Sequence, residues 1–166
     1  MKHRREQARL TKEEFVRQAE EMRLPMYRVA SAYLRQESDR MDAAQEALMK
    51  AWQALPRLKE ERYFKTWLIR ILIRECVNIQ RRQRRVMPME RLPEMETREM
   101  EPPSPLREAI LALPENQRIV IVLYYMEGYT VEEIMKALRL PKGTVCSRLN
   151  RARQRLKEYL TEEADT

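Results

Sequence analysis

Apolar residues recur every three or four positions along almost the whole of this chain, and that spacing admits few architectures. It lines one face of an α-helix, whereas a half-buried strand would alternate every second residue. Thr11-Lys12-Glu13-Glu14 reads as a capping box, opening a helix with Phe15, Ala19 and Met22 inward. Pro25 starts or kinks a second piece, with Met26, Val29, Ala30, Tyr33 and Leu34 on one face. From Asp42 the apolar stripe is Ala44, Ala47, Leu48, Ala51, Trp52 and Leu55, closed by Pro56. A third long helix carries Phe64, Trp67, Leu68, Ile71 and Leu72, and widens with Ile69, Ile73 and Val77. A helix apolar on most sides belongs at the centre of a bundle. The expectation is an all-α fold with one small helical domain over residues 10–85 and a second over 104–162.

Residues 86–103 differ in character. They hold Pro88, Pro93, Pro102 and Pro103 among Glu90, Glu94, Glu96, Glu99 and Glu101, the composition of a flexible, proline-rich acidic linker. The two halves are therefore expected to be independent bodies. Each is small for stability on its own and stands to gain from a partner. Ser104-Pro105 then makes a good helix start.

The second half contains the sharpest local signal. Gly128 can take the left-handed conformation that ends a helix, and Thr130 with Glu133 forms a capping box for the next. Ile134 and Leu138 lie one turn apart on its inner face. Pro141 suits the first position of a following helix, in which Val145, Leu149, Ala152, Leu156 and Leu160 point inward. Gly143, Ser147, Asn150, Arg151 and Gln154 then point outward. Two short helices about a tight turn, the second with a cationic outer face, are the build of a helix-turn-helix entering a DNA major groove. Ser, Asn and Arg can hydrogen-bond base edges, while Lys142, Arg148, Arg153 and Arg155 flank that face and suit phosphates.

Composition agrees and excludes. A net charge of +7 and a pI of about 9.6 favour a polyanionic partner. The charge is concentrated, with Arg81-Arg82-Gln83-Arg84-Arg85 as one block and the C-terminal helix as another. Two glycines in 166 residues leave no Gly-rich phosphate cradle, and one histidine, His3, builds no catalytic triad. Cys76 and Cys146 lack metal-ligand spacing and read as reduced thiols. No signal peptide or apolar run long enough for a bilayer is legible. The chain is expected not to be an enzyme, to need no cofactor or metal, and to work in the cytoplasm without membrane insertion.

The first half offers two further surfaces. Asp42, Gln45, Glu46 and Met49 recur at helical spacing opposite the alanine–tryptophan stripe, an acidic and amide face that suits protein binding. Arg57, Lys59, Arg62, Tyr63 and Lys65 precede a helix carrying Arg70, Arg74, Asn78 and Arg81. Cations interleaved with aromatics serve single-stranded nucleic acid; Phe64 and Trp67 fit the inward stripe, which leaves Tyr63 as the candidate stacking platform.

Taken in order, these segments resemble the extracytoplasmic-function sigma factors, sigma-70-family proteins of bacteria with regions two and four. The run from Asp42 through Gln45-Glu46-Ala47-Leu48-Met49 to Trp52 resembles the family's polymerase-clamp motif, and Phe64-Lys65-Thr66-Trp67-Leu68 its region-two helix. Leu113-Pro114, Glu127-Gly128, Glu132-Glu133-Ile134 and Gly143-Thr144-Val145 on to Arg153 resemble region four. The resemblance implies that Asp42, Gln45, Glu46 and Met49 grip the clamp of the largest subunit of core RNA polymerase. It implies capture of the melted minus-ten element by Arg57, Lys59, Arg62, Tyr63, Lys65, Arg70, Arg74, Asn78 and Arg81. It assigns the minus-thirty-five duplex to Lys142, Thr144, Ser147, Arg148, Asn150, Arg151, Arg153 and Arg155. It further implies contact with the flap of the second-largest subunit, an anti-sigma factor as partner, and a stress or envelope response.

About twenty linker residues span at most roughly 65–70 Å, enough to bridge two sites one and a half to two DNA turns apart at ~34 Å each. Three positions depart from the family pattern: Cys146 stands where a cation is usual, Arg139 where glycine is common, and Pro141 where serine is common. Two alternatives compete. A response-regulator-type transcription factor with a similar helix-turn-helix needs a strand–helix receiver domain, and residues 10–85 show no strand pattern. A helical polymerase-associated adaptor would show no sequence-selective promoter binding.

Overall fold

The computed structural model describes residues 10–86 and 104–164, and every regular element in them is helical. In the first half α1 spans Lys12–Glu21, α2 Arg23–Tyr33, α3 Glu37–Ala54 and α4 Phe64–Val86. In the second, α5 spans Pro105–Ala112, α6 Glu115–Ile121, α7 Val131–Leu138 and α8 Lys142–Ala164. A π-helical turn, Val122–Met126, extends α6, and two 3₁₀ turns, Leu55–Arg57 and Glu61–Tyr63, join α3 to α4. The segment read as a linker lies outside the described residues apart from Val86, which ends α4.

Local chemistry sets the ends of these helices. Thr11 and Thr130 each accept from the backbone N–H three residues on, while Glu14 and Glu133 accept from the N–H of the capping threonine. Ser104 caps α5 by accepting from Arg107 N–H at 3.2 Å. Gly128 takes φ +70° and Arg139 φ +54°, so the turns before and after α7 each pass through a left-handed residue. Pro141 sits one residue before α8 rather than inside it, its carbonyl accepting from Thr144 and Val145.

α3 begins at Glu37, five residues ahead of the expected Asp42. The reason is Arg40, which is 3 % exposed. Its Nε donates to the Leu34 carbonyl at 2.9 Å and its Nη2 to the Arg35 carbonyl at 2.6 Å. Both carbonyls lie in the turn just past the end of α2, so one buried cation satisfies them and ties α3 to that turn.

α4 is the axis of the first bundle. Phe64, Leu68, Ile69 and Leu72 are fully buried against α2 and α3. Burying a side chain of that size contributes about 1.5–3 kcal/mol. Phe15 meets Trp52 and Phe64 edge-on, with centroids 5.1 and 5.5 Å apart. Trp52 nevertheless stays 45 % exposed, so the expectation that it faces inward is corrected: only one edge of the indole is covered.

The two helical groups pack against each other. α2 packs on α6 and its π turn, α4 packs on α7, and one apolar core runs through both groups. Polar links flank that seam. Arg28 pairs with Glu127 at 3.6 Å, Arg118 Nη1 donates to the Ala32 carbonyl at 3.2 Å, and Gln80 Nε2 donates to Glu115 at 2.6 Å. The expected division into two small helical domains stands, with the two packed together in this structure. The charged and amide groups that form the seam are far apart in sequence and carry no periodic signal.

Candidate nucleic-acid and protein-binding surfaces

α8 divides cleanly along its length. Val145, Leu149 and Ala152 are buried against α5, α6 and α7. Lys142, Gly143, Asn150, Arg151, Arg153, Gln154 and Arg155 are exposed, while Thr144, Cys146, Ser147 and Arg148 are half-buried at the borders. The outer edge thus gathers the expected groups, with Ser147 Oγ turned back to donate to the Thr144 carbonyl at 3.2 Å. Arg148 faces the junction of the two groups, close enough for its charge to act on Tyr33. Burial raises the Tyr33 phenol, Cys76 and Glu115 push it the same way, and Arg148 opposes them. Cys146 sits between the buried edge and the outer face, half-buried rather than open.

Arg153 is held more firmly than an exposed arginine usually is. Its Nε donates to the Tyr125 hydroxyl at 2.6 Å and its Nη1 to Asn150 Oδ1 at 2.9 Å. The sequence reading omits Tyr125; two consecutive tyrosines ahead of a glycine turn gave no sign that one would reach α8.

On the first bundle the 3₁₀ turns and the start of α4 form a cationic rim. Arg57, Lys59, Arg62, Tyr63 and Lys65 are all exposed, as are Arg74, Asn78 and Arg81 further along α4, and Arg70 is half-exposed. Tyr63 is 49 % exposed with the Arg62 guanidinium 4.7 Å from its ring centre. Phe64 is buried and Trp67 half-buried, which leaves Tyr63 as the open ring. Arg62 and Lys65 also meet Glu60 and Glu21, at 2.7 and 3.5 Å. Both pairs are solvent-exposed and worth little.

The outer face of α3 presents Asp42, Gln45, Glu46 and Met49, all exposed. Met41 and Trp52 extend that stripe, missed by the sequence reading although their spacing from Gln45 and Met49 was legible. Beside it lies a groove between α3 and α4 of about 500 Å³, lined by Asp39, Asp42, Glu46, Lys50, Glu75 and Asn78 among others. Lys50 reaches the buried Glu75 at 2.7 Å and Glu46 at 3.6 Å. The hydrogen bond that Lys50 donates to Glu75 raises the Lys50 ammonium above its ordinary value.

Among the described residues no group of three His, Cys, Asp or Glu side chains is placed to hold a metal ion. No helix among them is long and apolar enough to cross a membrane. Burial pushes the Cys76 thiol up to about 12, so it is neither exposed nor ionised.

Residues 19–86 match the family description "Sigma-70 region 2", and residues 104–156 match "Sigma-70, region 4". The RNA polymerase sigma factor SigV of Bacillus subtilis is 28 % identical over 141 residues, covering 82 % of this chain and 85 % of that protein. The ECF RNA polymerase sigma factor SigM of Mycobacterium tuberculosis is 30 % identical over 139 residues, covering 81 % and 71 % respectively. The fold is that of the sigma factor RpoE of Bartonella quintana, solved in complex with the anti-sigma factor NepR. That match has a TM-score of 0.75 at 24 % identity and covers 90 % of this chain and 98 % of that one.

Proposed function

The chain belongs to the sigma-70 family, in its extracytoplasmic-function group, and from that membership we propose how its surfaces divide the work. As a sigma factor it binds core RNA polymerase and promoter DNA and directs promoter-specific initiation; it is not an enzyme. The outer face of α3, with Asp42, Gln45, Glu46 and Met49 and now Met41 and Trp52, docks on the clamp of the largest subunit. Exposed methionines and an indole among carboxylates supply the apolar contact that charges alone would not. The rim from Arg57 to Lys65 and the Arg70, Arg74, Asn78 and Arg81 positions of α4 capture the melted minus-ten strand, with Tyr63 as the stacking platform. α8 reads the minus-thirty-five duplex through Lys142, Thr144, Ser147, Asn150, Arg151, Arg153 and Arg155, with Arg148 joining once the two helical groups part. The second half also meets the flap of the second-largest subunit.

The chain acts in the cytoplasm, where the polymerase is, and its activity is held in check by an anti-sigma factor until a stress or envelope signal releases it. The solved relative in complex with such a factor supports that reading. The observation that carries the DNA assignment is the division of α8: a buried Val145–Leu149–Ala152 edge fixes which side chains face outward, and those are the ones able to read bases. Arg151→Ala tests it. Base discrimination at one promoter position should fall by about 1–3 kcal/mol, read by competition among single-substituted duplexes. Equal loss on every duplex would reassign Arg151 to a phosphate.

A further inference from the structure

The π turn between α6 and α7 has a purpose that the family reading leaves open. Its signature bond is Glu127 N–H to the Val122 carbonyl, five residues back, at 3.1 Å. A wider turn lowers the angle between successive side chains, and such turns occur often at functional sites. Here it brings Tyr124 and Tyr125 round to one side. Their rings meet edge-on at 4.9 Å, and the Arg153 guanidinium lies 5.6 Å from the centre of each. The Tyr125 hydroxyl and Asn150 Oδ1 then accept two of its N–H groups. All three partners are neutral, so the guanidinium is oriented while its charge is left unneutralised by them. Three of its five N–H donors remain. The cluster is open to solvent: Tyr125 is 57 % exposed, and Arg153 and Asn150 are exposed on α8.

We propose that Tyr124 and Tyr125 are positioning residues that hold Arg153 ready to clamp one phosphate of the promoter duplex, with Asn150 as the third support. The inference rests on the reading of α8 as the duplex-binding helix. An exposed arginine ordinarily loses rotamer freedom when it binds. One already held by ring faces and two hydrogen bonds has lost that freedom before DNA arrives, so more of the contact appears as affinity. A planar fork suits a phosphate. The tyrosines need touch no DNA themselves.

The test uses holoenzyme made from the full chain and bacterial core polymerase. The probe is a promoter duplex enriched from a randomised pool, bound across a salt series. Tyr125→Phe keeps the ring and removes only the acceptor; it should weaken binding by about three- to tenfold, the net weight of one ordinary hydrogen bond. Arg153→Ala should lower the salt slope by about one phosphate. In the Arg153→Ala background Tyr125→Phe should have no further effect, because the two act as a unit. Independent, additive losses would overturn the proposal, as would an Arg153→Ala slope equal to wild type. Lys142→Ala separates the two levels of failure. If it lowers the slope while Arg153→Ala does not, the tyrosine bracket alone is wrong. If neither does, α8 does not bind the duplex and the proposal falls with that reading.

Discussion

At the scale of single residues, the two left-handed positions do opposite things to stability. Gly128 takes its φ of +70° without penalty, and a Cβ built there would meet nothing within 4 Å. The cost of Gly128→Ala is therefore backbone strain alone, about 1 kcal/mol. Arg139 is the reverse case, a long side chain at φ +54° with an exposed surface. Replacing it removes strain and little packing. Arg139→Gly should stabilise the chain by about 0.5–1 kcal/mol, seen as a higher denaturant midpoint at unchanged slope. A lower midpoint would mean that the Arg139 side chain has a packing or charge role that its exposure hides. Arg40 shows the opposite use of arginine. Buried and bonded to two carbonyls, it serves the α2–α3 turn rather than the acidic outer face of α3.

At the scale of elements, α3 has one edge for its own core and another for a partner. Ala43, Ala47 and Ala51 are fully buried, small enough for α3 to lie close against α4. The opposite edge holds Met41, Gln45, Glu46, Met49 and Trp52. Glu46→Lys should abolish binding to core polymerase while leaving helicity and melting temperature nearly unchanged, as for other exposed substitutions; retention of wild-type affinity would remove α3 from the polymerase interface. Much of this was legible in the sequence. The capping boxes at Thr11 and Thr130, the Ser104 start and the buried Val145–Leu149–Ala152 edge are all written in residues within a turn of one another. Two things were not. The inward stripe read for α3 included Trp52, but periodicity marks a side and not how far a large ring reaches beyond it; α1 covers only part of the indole. The Tyr125–Arg153 contact depends on a π turn, whose extra width has no sequence signature of its own.

For the molecule as a whole, the seam between the two helical groups sets how far apart their surfaces lie. A compact body of this length has a radius of gyration of about 15 Å. Promoter elements one and a half to two turns apart are separated by roughly 50–70 Å. The groups must therefore part before both elements can be engaged. Polar groups are part of the seam, among them the Arg28–Glu127 pair and the Gln80–Glu115 hydrogen bond. Burial lowers the Arg118 guanidinium below its ordinary value against the pull of Glu115, a further sign of a charge held away from solvent. Arg28→Glu would set like charges against each other beside the nearly buried Glu127. Small-angle scattering of the free chain should then give a larger radius of gyration than wild type; an unchanged radius would show that the apolar part of the seam holds without the ion pair. None of the seam was legible in the sequence, because Arg28 and Glu127, or Gln80 and Glu115, are related only through the folded chain.

The central claim is that one chain joins a polymerase-docking face on α3 to two separate DNA-reading surfaces. It is tested most directly by initiation itself. Core polymerase with the full chain should be given a pool of templates randomised upstream of a fixed transcript, and the templates that yield RNA should be sequenced. Two conserved blocks are expected at a fixed spacing of roughly one and a half to two helical turns, with the upstream block relaxed by Arg151→Ala and all transcription lost with Glu46→Lys. Transcription without any enriched block, or with a single block indifferent to Arg151, would contradict it.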